Sequence, residues 1–296
     1  MSRSVAETTI ADVLGDYIAV QCEVALSINS ELEAALGVDR DDAQVDDDHV
    51  HDARVACRRL RSIIRVFGDV FSVPEAGRLS DDARWYAQVL GGIRDLDVLG
   101  DRIADALEQL DDDLVLHDAA TELQRQLADR RRTALAELRD AIHTELYADL
   151  TQQLREWQIR PPWTLEADLP ATKLKRSVRK ADRSLAKRLH RAAAAISAKD
   201  PEADELIHAA RKAAKRHRYA LEAAAPVLGP VSDKLVAERR ALQDLLGDYQ
   251  DSRLASELLR DLGGIPGRNG FTFGLLFTAE AEHRRKLRKQ IVKRAR

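Results

Sequence analysis

The chain has 296 residues, of which 45% are hydrophobic, 4% aromatic and 33% charged, and its net charge is −3. This composition is typical of a helical protein with a charged exterior, and the length suits one large domain or two of ordinary size. No stretch reaches the roughly 18 apolar residues that a membrane span needs, and the first residues lack the apolar segment of a secretory signal. We therefore expect a cytoplasmic protein without a membrane partner.

The first half of the chain is predicted to be helical because its apolar residues recur at helical spacing. The first helix is expected from Val5 to Leu36, and the acidic loop over 39–48 places negative charge at the start of the next helix, where the helix dipole favours it. We expect Gly91 and Gly92 to interrupt a later helix. The other predicted helices of this half span residues 51–67, 74–90, 93–110 and 114–142.

The helical pattern lapses between Trp157 and Pro170, where Pro161 and Pro162 cannot continue a helix. This break separates a first helical-bundle repeat (1–157) from a linker (158–170) and a second repeat (171–296). Helices of the second repeat are predicted over residues 171–196, 200–226, 231–246 and 248–262, and from a glycine-rich loop ending at Gly270 to Arg296. No segment alternates like a strand, so the predicted fold class is all-α.

One predicted helix carries a row of cations along one face. At about 100° per residue, the members of this row fall within an arc of roughly 80°. Neighbouring cations repel by about 0.2–0.5 kcal/mol per pair on a solvated surface, so an external polyanion would favour the arrangement. The row comprises His51, Arg54, Arg58, Arg61 and Arg65, opposite a core face of Ala53, Ala56, Leu60, Ile63, Ile64 and Phe67.

The same pattern returns 157 residues later in the chain. Leu90-Gly91 with its downstream Asp95 is likewise matched by Leu246-Gly247 and Asp251. The chain therefore reads as two tandem versions of one unit. In the second copy, His208, Arg211, Lys215, Arg216 and Arg218 take the places of His51, Arg54, Arg58, Arg59 and Arg61.

Two further predicted helices carry basic stripes. Between Lys173 and Arg191 there are nine lysines and arginines against one aspartate, and such segregation can create a positive cleft on a nearly neutral protein. The second ladder comprises Lys173, Arg176, Lys180, Arg183 and Lys187. A weaker stripe comprises Arg125, Arg132 and Arg139, for which a solvated helix face is the favoured interpretation.

The sequence supports a metal site or a catalytic site less well than it supports the binding of a polyanion. His51 and His208 invite a metal site, but zinc needs three or four converging ligands and both histidines lie among cations that disfavour a metal. Asp95 and Asp251 occupy equivalent places, which favours a structural task over a catalytic carboxylate pair. We therefore expect no metal and no cofactor. Cys22 and Cys57 lie within helical patterns and are predicted to be unpaired core thiols.

The repeated motif His-x-x-Arg-x-x-x-[Arg/Lys]-Arg-x-Arg, followed by Leu-Gly and an aspartate, resembles that of the CHAD family, the conserved histidine α-helical domain. The likeness extends over about residues 8–290, although the second copy departs at Lys215 and has His217 where the first has Leu60. It implies one domain of two antiparallel four-helix bundles related by a pseudo-twofold axis. It also implies no catalysis and a basic cleft that binds inorganic polyphosphate. CHAD modules can be fused to a CYTH triphosphatase domain, but this sequence has no EXEXK-type strand motif for one, so we expect a stand-alone version.

Polyphosphate binding also agrees with the chemistry of the basic rows, because the planar guanidinium groups of arginine form charge-assisted hydrogen bonds to phosphate oxygens. Nucleic acid is the alternative polyanion, but the ladders hold almost no aromatic residues for base stacking. A scaffold for an acidic protein is a third possibility. The preferred polyphosphate length, the oligomeric state and the biological role, including any association with polyphosphate granules, stay open. The candidate polyphosphate-binding residues are His51, Arg54, Arg58, Arg59, Arg61, Arg65, Arg132, Lys173, Arg176, Lys180, Arg183, His208, Arg211, Lys215, Arg216 and Arg218.

Overall fold

A computed structural model of the chain describes residues 8–36, 45–116, 119–265 and 270–295. Over these ranges the regular structure is helical apart from two isolated bridges, so the all-α prediction is confirmed. Short 3-10 turns lie at 68–70, 112–114, 165–168 and 171–173. The α-helices are α1 (Ile10–Leu36), α2 (Asp47–Val66), α3 (Val73–Glu108), α4 (Ala119–Ile142), α5 (Glu145–Ile159), α6 (Leu174–Ala198), α7 (Ala203–Ala223), α8 (Ala225–Leu228), α9 (Val231–Gly263) and α10 (Phe271–Arg294).

Side-chain caps decide where the first two helices begin. Thr9 and Asp12 cap α1 reciprocally, since the Thr9 amide donates to Asp12 Oδ2 at 2.8 Å and the Asp12 amide donates to Thr9 Oγ1 at 3.2 Å. The helix therefore begins at Ile10, later than the predicted Val5. In α2 the Asp46 carboxylate accepts the Asp48 amide at 2.9 Å, so this helix begins before the predicted His51. Residues 37–44 of the acidic loop lie outside the described residues.

The predicted interruptions at Gly91-Gly92 and Gly247 were wrong. Helix α3 is continuous for 36 residues and α9 for 33, so each passes through its Leu-Gly motif without a break. A glycine costs a helix only about 1 kcal/mol relative to alanine, and packing of the flanking buried residues, such as Leu90 and Ile93, outweighs that cost.

The middle of the chain also differs from the prediction. Leu114 closes a 3-10 turn, and α4 begins at Ala119. Helix α5 was not predicted, although Thr144 caps it by accepting the Tyr147 amide at 3.3 Å. Its buried apolar and aromatic residues, Tyr147, Leu150, Leu154 and Trp157, keep helical spacing, and they are the signal that could have identified it.

The chain divides into two compact units. Unit 1 comprises residues up to Arg94 together with 135–185 and 213–240, and unit 2 comprises 95–134, 186–212 and 241–296. Each unit takes segments from both sequence repeats. The predicted repeats 1–157 and 171–296 therefore describe an internal likeness of the sequence, and their arrangement as two four-helix bundles stays a prediction.

The core of unit 1 includes the interface of α1 with α2 and α5. Every residue of the core face predicted for α2 is buried. Cys22 of α1 and Cys57 of α2 are both buried and unpaired, as predicted, and burial raises the pKa of each thiol to about 12. These cysteines are therefore packing residues and not reactive groups.

Unit 2 has its own apolar core. Thr272 supports it by accepting the Leu116 amide at 3.0 Å and donating to the Leu114 carbonyl at 2.9 Å, which ties the turn before α4 to α10. The buried members of this core are Ile103, Leu107, Ala119, Leu123, Ala255, Leu258, Leu259, Leu262, Phe273 and Leu276.

Candidate functional site

The cation row of α2 is less exposed than the sequence pattern suggested. His51, Arg54, Arg58 and Arg61 are half-buried, and only Arg65 is exposed. The expectation of a row pointing directly away from the core therefore needs correction. Part of the row packs within unit 1, where Arg61 Nε donates to the Ser80 carbonyl of α3 at 3.0 Å.

Arg54 crosses helix α3 at the glycine of the Leu-Gly motif. A Cβ atom added to Gly91 would lie 2.9 Å from Arg54 Nη2, closer than side-chain carbons approach other groups. In unit 2 the equivalent arginine lies over the equivalent glycine, and a Cβ added to Gly247 would lie 3.8 Å from Arg211 Nη2. In each copy of the repeat, the arginine of the His-x-x-Arg motif therefore lies against the glycine of the Leu-Gly motif.

Each repeated histidine lies among cations of its own unit. Burial lowers the pKa of His51, and Arg94, Arg58 and Arg54 lower it further against the opposing charge of Asp52. We call His51, Arg54, Arg58 and Arg94 the first histidine cluster. Its concentration of positive charge is suited to an anion that accepts several hydrogen bonds.

Unit 2 repeats this arrangement around His208. Burial lowers the pKa of His208, and Lys212, Arg211 and Arg253 add to the effect while Glu205 opposes it. His208 Nδ1 is buried without a hydrogen-bond partner among the described residues. We call His208, Arg211, Lys212 and Arg253 the second histidine cluster. Lys212, Arg253 and Arg94 were not among the residues proposed from the sequence.

Arg59 and Arg218 face an internal carboxylate in unit 1. Glu222 lies 3.6 Å from Arg59 Nε and 3.3 Å from Arg218 Nη1, and both guanidinium groups lie over the ring of Tyr219. Arg59 also donates to Gln21 Oε1 at 3.2 Å. A phosphate would therefore compete with Glu222 for these two arginines. Lys215 and Arg216, the other basic residues of the second histidine motif in this unit, are half-buried.

Helix α6 and the turn before it present a solvated cationic stripe. Lys173, Arg176, Lys180 and Arg183 are all exposed, and none forms an ion pair with a described residue. Lys175 and Arg179, which the sequence pattern did not single out, are exposed beside them and widen the stripe. We call these six residues the α6 stripe. It lies within unit 1 and is accessible to a large anion.

His217 explains one departure of the second motif from the first. It is 2% exposed in its side chain and occupies the core position that Leu60 has in the first copy. Arg239 Nε donates to His217 Nδ1 at 3.0 Å, and Asp182 accepts from Arg239 Nη2 at 3.0 Å. Burial lowers the pKa of His217 to about 4, so the neutral ring serves as an acceptor within the core.

Arg132 is paired locally. It is exposed on α4, where its Nη2 atom lies 2.6 Å from Asp129 Oδ1. Arg125 of the same stripe is paired with Glu122 at 2.7 Å. This geometry agrees with a solvated helix face for the α4 stripe, and the phosphate contact proposed for Arg132 stays a prediction.

No three histidine, cysteine or acidic side chains among the described residues are grouped so that they could hold a metal ion. No helix in the described ranges is long and apolar enough to cross a membrane.

The chain is similar to several known proteins. Two proteins from Mycobacterium tuberculosis strains, named "Uncharacterized protein MT2285" (CDC 1551 / Oshkosh) and "Uncharacterized protein Rv2226" (H37Rv), are each 31% identical over 257 residues. That match covers 82% of this chain and 47% of each relative, so the chain spans about half the length of these curated relatives.

Two solved structures share the fold. PptA from Streptomyces chartreusis matches with a TM-score of 0.74 at 19% identity, covering 97% of this chain and 99% of that one. The CHAD domain from the plant Ricinus communis matches with a TM-score of 0.67 at 24% identity, covering 98% and 92%. A family model described as "CHAD domain" matches residues 28–260, which hold both histidine helices and both Leu-Gly motifs. The chain therefore belongs to the CHAD domain family.

Proposed function

We propose that this chain binds inorganic polyphosphate without catalysing a reaction on it. The observation that carries the proposal is the repeated histidine cluster. In each unit a histidine lies among basic residues of its own helix and one of a second helix, namely Arg94 in unit 1 and Arg253 in unit 2. Such a concentration of cations raises the local positive potential, which attracts an anion.

Several features support phosphate as the anion. Arginines predominate in both clusters, and their planar forks suit phosphate oxygens better than lysine does. The α6 stripe adds exposed cations that an extended chain of phosphates could contact. CHAD family membership agrees with this ligand, because the sequence resemblance implies polyphosphate binding. Location in the cytoplasm and association with polyphosphate granules are part of the same proposal.

Nucleic acid is disfavoured as the principal ligand. Tyr219, the aromatic residue nearest the ladders, is buried beneath Arg59 and Arg218 and offers no face for base stacking. Stacking on exposed aromatic rings supplies much of the affinity for single strands. A nucleic acid would therefore bind this protein through its phosphates alone.

Competition at one ionic strength tests the proposal. Labelled polyphosphate is bound to the protein and displaced with unlabelled polyphosphate, single-stranded DNA or heparin at equal charge concentration. We expect polyphosphate to be the strongest competitor, and Arg58→Ala/Lys215→Ala to weaken its binding at least tenfold. Equal potency of the three polyanions, or an unchanged affinity of the variant, would contradict the proposal.

A further inference from the structure

A pocket in unit 2 is rich in arginine and lies apart from the residues proposed above, except for Arg253. Its volume is about 330 Å³, and its walls come from α7, α9 and α10. Five arginines line it against two carboxylates, those of Asp204 and Glu257. The arginines are Arg253, Arg260, Arg284, Arg285 and Arg288.

Hydrogen bonds fix two of these arginines in place. Arg288 donates to the Tyr249 hydroxyl at 2.9 Å and to Asp204 Oδ1 at 2.8 Å. Arg284 Nη1 donates to the Ser252 carbonyl at 2.9 Å and also contacts Ser256 Oγ. Groups held in this way lose less conformational entropy when a ligand binds.

Positive charge in the pocket exceeds its internal compensation. Arg253 pairs with Glu257, and Arg288 pairs with Asp204. Arg260, Arg284 and Arg285 form no ion pair with a carboxylate in the part of the chain that the structure describes. The pocket therefore has three arginines available to an anion.

The pocket belongs to one half of the sequence repeat only. Shifted by the 156 residues that separate the Leu-Gly motifs, Arg253 and Arg260 correspond to Asp97 and Ala104 in the first half, so the basic character is not repeated. Its α10 wall, from Phe277 to Arg288, also lies beyond the residues 28–260 that match the family model. The pocket therefore shares Arg253 with the second histidine cluster, but its other arginines lie outside the repeated motifs.

We propose that the pocket binds a small phosphate-bearing anion such as inorganic pyrophosphate. Its volume is at the lower end of the roughly 300–1,000 Å³ range of small-molecule sites, which favours a compact ligand over a long chain. Guanidinium groups on α9 and α10 supply charge-assisted donors, and Ser256 adds a hydroxyl. Phe277, 36% exposed, forms an apolar part of the wall.

Calorimetric titration with inorganic pyrophosphate tests this site. We expect one pyrophosphate per chain at the pocket, and binding at least tenfold weaker in Arg260→Gln/Arg285→Gln. The side chains of these two exposed arginines form no hydrogen bond or ion pair with another described residue, so the variant is expected to fold. The matched control, Arg130→Gln/Arg294→Gln, removes the same charge from exposed positions of unit 2 and should bind pyrophosphate like the wild type.

Polyphosphate binding distinguishes this site from the histidine clusters. We expect the pocket variant to bind long-chain polyphosphate within twofold of the wild type, and Arg58→Ala/Lys215→Ala to retain pyrophosphate binding. The proposal is overturned if pyrophosphate does not bind, if the pocket and control variants bind it equally, or if the pocket variant loses both ligands together. In the last case the pocket would be one part of the polyphosphate site.

Discussion

Arg54 lies over Gly91 so closely that a single added carbon would be 2.9 Å from its guanidinium nitrogen. The glycine thus positions an arginine of the first histidine cluster from a different helix. In unit 2, Arg211 lies over Gly247 with more room, at 3.8 Å from the same added carbon. A glycine within a long helix costs up to about 1 kcal/mol relative to alanine. At Gly91 and Gly247 the missing Cβ leaves the space that the side chain of Arg54 or Arg211 occupies.

Gly91→Ala should separate ligand affinity from stability. The methyl group displaces the flexible end of Arg54, while alanine favours the helix by up to about 1 kcal/mol. We expect polyphosphate affinity to fall several-fold, with the free energy of unfolding changed by less than about 1 kcal/mol. Gly247→Ala is the matched control and should lose less affinity. Equal affinity losses in the two variants would contradict the role assigned to the close contact at Gly91.

Polyphosphate affinity should depend on the protonation of the two repeated histidines. Burial and neighbouring cations, with Lys212 foremost at His208, lower the pKa of His51 and His208 below the ordinary histidine value, so the neutral ring predominates at pH 7. A bound polyanion favours the protonated ring, and affinity should therefore rise as the pH falls below about 6.5 and stay flat above pH 7.5. His51→Gln/His208→Gln should flatten the profile, whereas the exposed His143→Gln should not. If the wild type and both variants showed the same dependence of polyphosphate affinity on pH, protonation of His51 and His208 would have no role in binding.

His217 should make stability depend on pH. Its folded pKa of about 4 lies below the unfolded value of about 6.5, so the unfolded chain takes up a proton first as the pH falls. Stability is therefore lost between pH 6.5 and 4, by up to about 3 kcal/mol for this group.

Urea unfolding of His217→Leu from pH 7.5 to 4.5 measures that contribution. Leucine is the residue that the first copy carries at this position, so it should pack with little distortion. The stability of the variant relative to wild type should increase as the pH falls. A difference that does not vary with pH would show that His217 does not titrate in this range.

Glu222→Gln tests whether Glu222 competes with polyphosphate for Arg59 and Arg218. Removing this carboxylate leaves Arg59 and Arg218 without their internal counter-charge, and we expect destabilisation of about 1–3 kcal/mol. Polyphosphate affinity should rise, since both arginines become available and a negative charge is removed. The exposed Glu166→Gln in the same unit is the control. Lower affinity in Glu222→Gln would mean that Glu222 orients the arginines for the ligand.

Much of the fold was predictable because helical periodicity is a local property of the sequence. The buried face of α2 and the two histidine helices followed directly from spacing. The continuity of α3 and α9 did not, because the sequence marks Gly91 and Gly247 as breaks and only tertiary packing shows that each accommodates an arginine. The start of α1 depends on the reciprocal cap formed by Thr9 and Asp12, two residue types that commonly cap helices.

The candidate site was predictable in residue type more than in environment. The repeated motif singled out Arg59 and Arg218, but it could not show that Glu222 lies between them, because this carboxylate is 163 residues from Arg59 in the chain. Arg94 and Arg253 were missed for the same reason, since they join the histidines from other helices. His217 is buried because the second motif places it on the core face, where Leu60 lies in the first.

The salt dependence of polyphosphate affinity tests the central claim most directly. Displacement of counterions makes log affinity fall linearly with log salt, with a slope that reflects the number of phosphates contacted. Arg176→Gln/Lys180→Gln/Arg183→Gln removes half of the α6 stripe, and Arg78→Gln/Arg155→Gln/Arg160→Gln removes the same charge from other exposed positions of unit 1. We predict a slope equivalent to several phosphates for the wild type and the control, and a slope shallower by about two to three for the α6 variant. A wild-type slope near zero would contradict the account.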